Sequence, residues 1–85
     1  MLFMIIETFR DPKAVYARFR EKGRMAPDTV KYIDSWVDVT GRRCFQIMQA
    51  DDLGALMQWI AAWSDLADFE VIPVVPSKVA AGILG

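Results

Sequence analysis

Residues 29–49 read TVKYIDSWVDVTGRRCFQIMQ and contain two strand-like stretches that are joined by one tight turn. Residues 29–39 alternate as a strand does, and residues 42–49 are interpreted as the strand that pairs with them. Thr40-Gly41 between them suits the turn of a hairpin. This stretch therefore predicts a β-hairpin in the middle of the chain.

The segment before the hairpin predicts one strand and one helix. Residues 2–9 are rich in β-forming side chains and predict the first strand. Asp11-Pro12 is a typical helix start, with Asp11 as the N-cap and Pro12 at the first helical position. The helix is predicted over residues 12–23, where Gly23 is a favourable stop.

The segment after the hairpin predicts a second helix followed by the last strand. Asp51 or Asp52 is expected to cap a second helix that runs to about Leu66. The last strand is predicted over residues 69–75, and Pro73 within it indicates an edge strand or a bulge. Residues 77–85 are interpreted as a C-terminal tail, frayed or reaching across a dimer, behind a single domain of residues 1–76.

The resulting order, βαββαβ, predicts an α+β fold of ferredoxin-like topology. Two such split βαβ units build one four-stranded antiparallel sheet with both helices on one face. The other face must then meet water, a ligand or a second sheet. The chain is 54% hydrophobic, which is more than a domain of 85 residues easily buries, so we expect a homodimer.

Composition excludes several classes of function. The chain has no histidine and one cysteine, so we expect no metal site, no haem or other cofactor, no disulfide and no histidine-dependent nucleophile. A net charge of −1 without a basic stripe argues against nucleic-acid binding. No apolar run is long enough for a signal or a membrane span, so we expect a cytoplasmic protein with no membrane partner.

The alternation of side chains along the strands separates two sheet faces. The face predicted to pack against the helices is wholly apolar and comprises Met4, Ile6, Ile33, Val37, Phe45, Ile47, Phe69 and Val71. The other face mixes large apolar groups with polar ones and comprises Phe3, Ile5, Glu7, Tyr32, Asp34, Trp36, Cys44, Gln46, Met48, Glu70 and Ile72. Such a mixture suits the interior of a small barrel that a second subunit closes.

Candidate pocket residues come mainly from this second face, and each has a plainer interpretation. Glu7, Asp34 and Glu70 are expected to form a carboxylate cluster with raised pKa values, or else structural ion pairs with Arg42, Arg43 or the partner. Tyr32 and Trp36 would stack on an aromatic ligand, or fill the barrel. The remaining candidates are Gln46, Cys44 (reactive, or a small buried hydrophobe) and Arg24 (at a pocket mouth, or in a solvated connector).

The blocks MLFMIIETFRDP, VYARFREKGRM, KYIDSW…RRCFQIM and DFEVIPVV resemble a small family of unknown function. At the level of the fold the chain resembles the dimeric α+β barrel superfamily, which includes stress-responsive barrels, antibiotic-biosynthesis monooxygenases and muconolactone isomerases. The resemblance implies that two sheets pack into a barrel and that ligands bind between sheet and helices. The catalytic or haem-binding histidine of some of these relatives has no counterpart in this chain, which contains no histidine.

Three functions remain open at this point. The first is the binding of a small apolar or aromatic molecule, and the second is a cofactor-independent isomerase or monooxygenase with a carboxylate base. The third is a structural dimer without a ligand. The sequence does not decide whether the protein is an enzyme, because function does not follow from fold.

Overall fold

A computed structural model describes residues 1–85 and shows one open sheet with three helices. The elements in chain order are β1 (Leu2–Phe9), α1 (Pro12–Lys22), β2 (Val30–Val37), β3 (Arg43–Ala50), α2 (Leu53–Trp63), β4 (Ala67–Val74) and α3 (Ser77–Leu84). The strands lie in the order β2-β3-β1-β4, and all neighbours are antiparallel. The predicted ferredoxin-like α+β fold is thereby confirmed, with α3 added at its end.

Both long helices begin at predicted caps and α1 also ends as predicted, whereas α2 ends at Trp63 and not at about Leu66. The Asp11 carboxylate accepts a hydrogen bond from the backbone N–H of Ala14 at 3.1 Å, and Pro12 is the first helical residue. Asp52, rather than Asp51, caps α2 by accepting a bond of 3.1 Å from Ala55. Gly23 ends α1 with a φ of 67°, which glycine adopts without steric cost.

The hairpin turn is held by Asp38, which shortens β2 relative to the predicted strand. The Asp38 carboxylate accepts hydrogen bonds from the Thr40 hydroxyl at 2.8 Å and from the Arg42 N–H at 3.2 Å. These bonds, the Thr40 bond foremost, lower the pKa of Asp38 to about 2. Gly41 completes the turn at a φ of 73°. Because Asp38 binds the turn, the strand ends at Val37.

Both helices cover the face of the central strands that was predicted to be open, so the face assignment of β1 and β3 is wrong. The largest fully buried side chains are Trp59 on α2 and Ile5 and Met48 on the central strands. The members of the predicted helix-packed set that lie instead on the uncovered face are Met4, Ile6, Phe45 and Ile47. The central strands carry large apolar side chains on both faces, so apolar content alone does not identify the face that the helices cover.

A β-bulge and the register of the last strand account for the remaining differences in face. The pairing of β2 with β3 shifts between Tyr32 and Asp34, so Ile33 is the additional residue. The register of β1 with β4 pairs Ile5 with Val71 and Ile6 with Glu70. The predicted inner set is therefore divided: Asp34, Trp36, Glu70 and Ile72 lie on the uncovered face, while Phe3, Ile5, Glu7, Tyr32, Cys44, Gln46 and Met48 lie on the helix side.

The C-terminal residues form a helix that the sequence analysis did not predict. α3 begins directly after Pro76, which initiates it without a side-chain cap, and none of its residues is buried. Its large apolar side chains Val79, Ile83 and Leu84 are exposed. β4 is an edge strand, as Pro73 indicated. None of the helices is both long and apolar enough to cross a membrane.

Candidate functional site

A cavity of about 210 Å³ lies between the helix-covered face of the sheet and the two long helices. Most of its wall is apolar and aromatic, and the residues that provide this part are Phe9, Val15, Tyr16, Phe19, Val37, Trp59 and Trp63. Five polar residues complete the wall: Glu7, Arg24, Ser35, Cys44 and Gln46. An apolar cavity with a few convergent polar groups is the usual form of a small-molecule site.

Glu7 places a carboxyl group in the wall of this cavity from the middle of the sheet. Only 9% of the residue is exposed, and it forms no salt bridge with any basic side chain. Burial raises the pKa of Glu7 to about 7, although the Cys44 thiol and the positive charge of Arg24 offset part of this effect. The carboxyl group therefore changes its protonation state near neutral pH.

Cys44 is the cross-strand neighbour of Glu7 and has the properties of an unreactive thiol. It is a free, buried cysteine on β3. Burial raises its pKa to about 12, and the negative charge of Glu7 contributes in the same direction. The thiol therefore stays protonated at neutral pH, which favours its interpretation as a small buried side chain over that of a nucleophile.

Arg24 enters the cavity from the connector between α1 and β2. Its guanidinium lies 3.6 Å from the ring centroid of Tyr32 and 5.2 Å from that of Phe19. Its backbone carbonyl accepts hydrogen bonds from the indole N–H groups of Trp59 at 3.1 Å and Trp63 at 2.8 Å. The next residue, Met25, has a φ of 60°, which is unusual for a residue with a side chain. The connector is thus held in one conformation by contacts with α1, α2 and β2.

Gln46 adds a buried amide to the same wall. It is 3% exposed, lines the cavity from β3, and forms no side-chain hydrogen bond with the rest of the chain. No buried side-chain nitrogen or oxygen atom in the structure lacks a hydrogen-bond partner, so the unbonded amide atoms of Gln46 retain some contact with solvent in the cavity. The amide is therefore available to a water molecule or to a ligand in the cavity.

The structure brings four of the eight predicted pocket residues into this wall: Glu7, Arg24, Cys44 and Gln46. Tyr32 lies beside it, because its ring contacts Arg24 and its hydroxyl forms a hydrogen bond of 2.7 Å with Ser35. Asp34, Trp36 and Glu70 are exposed on the uncovered face. The bulge at Ile33 gives the cavity Ser35 instead of Asp34. The three carboxylates consequently form no cluster.

Sequence reasoning missed the aromatic part of the site. Tyr16 and Phe19 form a helical stripe with Val15, a pattern that is equally typical of core packing. Trp59 and Trp63 are core residues that also border the cavity. Their indole N–H groups also bind the Arg24 carbonyl, which is 35 residues away in sequence from Trp59 and 39 residues away from Trp63. No local signal indicates such a contact.

The structure contains no group of three or more histidine, cysteine or acidic side chains that could hold a metal ion. Comparison with curated proteins and with solved structures found no significant match. The model of one family, described as a domain of unknown function (DUF3303), matches residues 1–85. The resemblance seen in the sequence blocks is thereby confirmed at the level of this family, and the protein is a member of it.

Proposed function

We propose that this protein binds a small, mainly apolar or aromatic molecule in the cavity between sheet and helices. The observation that carries the proposal is the presence of two buried polar side chains, Glu7 and Gln46, in an otherwise apolar wall. A purely structural core would place apolar groups there, whereas the carboxyl and amide atoms that have no hydrogen-bond partner in the chain remain accessible from the cavity. A ligand with a polar group would form hydrogen bonds with both side chains.

The size of the cavity sets the size of the ligand. An apolar cavity of roughly 150 Å³ accommodates benzene. A cavity of about 210 Å³ that is open on one side therefore suits a molecule with one or two fused rings. The facing aromatic side chains offer both flat surfaces and ring edges, which favours a flat ligand.

The experiment is a calorimetric titration with 2-naphthamide, a flat and neutral compound of this size. Val37→Trp would fill the cavity from the end of β2, and Val39→Trp is the matched control on an exposed turn outside it. We expect saturable binding by the wild type and by Val39→Trp, and none by Val37→Trp. Absence of saturable binding by the wild type at millimolar ligand, or equal binding by both variants, would contradict the proposal.

The assembly that we propose is a homodimer formed through the uncovered sheet face. This face presents six apolar side chains on neighbouring strands, with Asp34 and Glu70 beside them on the edge strands; the apolar residues are Met4, Ile6, Trp36, Phe45, Ile47 and Ile72. A surface of this kind is costly in water, and sheets commonly cover it by packing face to face with a second sheet. Two copies joined in this way give the dimeric α+β barrel that the resemblance implies. The free thiol of Cys44 fits a reducing, cytoplasmic setting.

Sedimentation velocity at micromolar concentration tests the dimer. Ile47→Glu would bury a charge at the centre of the proposed interface, whereas Val39→Glu adds the same charge on the exposed turn. We expect dimers for the wild type and Val39→Glu, and monomers for Ile47→Glu. A monomeric wild type would remove the proposed assembly and leave the cavity, which a single chain forms, unaffected.

A second candidate function, proton abstraction from a bound carbon acid, is favoured by one observation. The pKa of Glu7 is raised to about 7 beside the cavity, which is the range in which a carboxylate acts best as a general base at neutral pH. An isomerase or a cofactor-independent oxygenase would begin with this step. Protein-dependent hydrogen–deuterium exchange of 2-tetralone, followed by NMR, would show it. Exchange at the same rate with wild type and Glu7→Gln would contradict a catalytic carboxylate.

A further inference from the structure

We propose that the ligand is an anion, a carboxylate carried on a flat apolar body, and that the Arg24 guanidinium holds its charged group. This proposal rests on the function proposed above and specifies the class of ligand. Three features of the cavity support it: Arg24 has no acidic partner, its side chain is held in one position, and it is the one charged group beside Glu7.

Arg24 is an unpaired cation in the wall of the cavity. The other arginines that approach acidic groups have partners: Arg10 pairs with Asp68, Arg18 with Asp65 and Arg43 with Asp38. Arg24 forms no salt bridge, and its guanidinium donates no hydrogen bond to the protein. A guanidinium offers up to five N–H donors in a planar fork that matches a carboxylate. All of them remain available for a ligand.

The position of this guanidinium is fixed before any ligand arrives. The Tyr32 and Phe19 rings contact it, and the Trp59 and Trp63 indoles hold the backbone carbonyl of the same residue. Stacking on aromatic faces leaves the N–H edge of a guanidinium free. An arginine that is already ordered loses little conformational entropy on binding, which favours affinity for an anion.

Glu7 couples this recognition to proton uptake. The groups around it are Arg24 from the connector, Cys44 on β3, Tyr16 on α1 and Ser35 on β2, while α2 contributes only indoles. Arg24 is therefore the one charged neighbour, and a second anion beside it would repel an ionised Glu7. Binding of a carboxylate consequently favours the protonated Glu7, whose hydroxyl then acts as a donor to the ligand. The Gln46 amide is a further donor.

The test compares 2-naphthoate with 2-naphthamide, which differ in charge but hardly in shape, by isothermal titration calorimetry. At pH 6 we expect 2-naphthoate to bind about 10- to 100-fold more tightly than 2-naphthamide, which is the gain expected when a neutral hydrogen-bond acceptor is replaced by a charged one. Above pH 7 its affinity should fall by about tenfold for each pH unit. Above pH 7, titrations in two buffers with different ionisation enthalpies should show that binding of 2-naphthoate takes up a proton. Glu7→Gln should remove both the pH dependence of the affinity and the proton uptake.

Arg24→Gln should bind 2-naphthoate and 2-naphthamide with about equal affinity, because it should lose the preference for the anion and keep the binding of 2-naphthamide. The variant keeps the backbone carbonyl that both indoles bind, so we expect it to fold. Arg20→Gln is the matched control, since Arg20 is an exposed residue of α1 outside the cavity. Binding of 2-naphthamide without any preference for 2-naphthoate would overturn the anion proposal and leave the proposed function intact. Binding of neither compound would overturn both, and an unchanged preference in Arg24→Gln would exclude Arg24 as the anchor.

Discussion

Replacing Glu7 with glutamine should make the protein more stable at alkaline pH and change its stability little near pH 4. The buried carboxyl has a pKa of about 7 in the folded chain, against an ordinary value of 4.5. Between these two values the folded state binds more protons than the unfolded state, so the free energy of unfolding falls as the pH rises. The stabilising contribution of the protonated form is complete below pH 4.5 and is lost once the pH passes 7.

The size of the effect follows from the separation of the two pKa values. Each pH unit between them corresponds to about 1.4 kcal/mol, which gives about 3 kcal/mol over the whole range. Glutamine has nearly the same shape as glutamic acid but does not ionise. The difference in stability between Glu7→Gln and the wild type should therefore grow from near zero at pH 4 to about 3 kcal/mol at pH 8.

Urea unfolding at a series of pH values, monitored by circular dichroism at one fixed protein concentration, measures this difference. Glu21→Gln is the matched control, because Glu21 is an exposed residue of α1. Its stability should follow that of the wild type within about 0.5 kcal/mol at every pH. A wild type and a Glu7→Gln variant with parallel pH profiles would show that Glu7 is not buried in an apolar wall.

Three further outcomes are expected. Asp11→Ala should lower the free energy of unfolding by about 1 kcal/mol through loss of the α1 cap, and an unchanged urea midpoint would contradict the cap. Cys44 should react with a thiol reagent at pH 8 at least ~100-fold more slowly in the folded protein than in urea, and comparable rates would contradict its burial. Trp36, which is 56% exposed in the single chain, should be covered in the dimer, so Trp36→Ala should raise the dimer dissociation constant about tenfold or more in sedimentation equilibrium. An unchanged constant would place the interface elsewhere.

The parts of the fold that could be predicted are those encoded by local chemistry. Asp11-Pro12, Gly23 and Thr40-Gly41 act through bonds or dihedral preferences within a few residues, and each takes the expected role in the structure. The order of the elements then leaves few topologies, and the ferredoxin-like one is observed. α3 was missed because it has neither a side-chain cap nor a buried face.

The parts that could not be predicted depend on contacts between distant segments. Strand register decides which faces coincide, and a single extra residue at Ile33 reverses the faces of β2 beyond it. Glu7 added a second difficulty, since a carboxyl group in the middle of a strand argues against a core position. The structure nevertheless buries it beside a cavity. A departure from the rules of burial of this kind is expected at functional sites.

Isotope-filtered nuclear Overhauser spectroscopy with 2-naphthamide tests the location of the ligand most directly. Val15 and Val37 have methyl groups in the cavity wall, whereas Met4, Ile6 and Ile47 have theirs on the uncovered sheet face. A ligand bound between sheet and helices will show contacts with the two valines and none with the other three residues. Contacts confined to Met4, Ile6 and Ile47 would mean that the ligand binds the uncovered face and that the cavity is not the site.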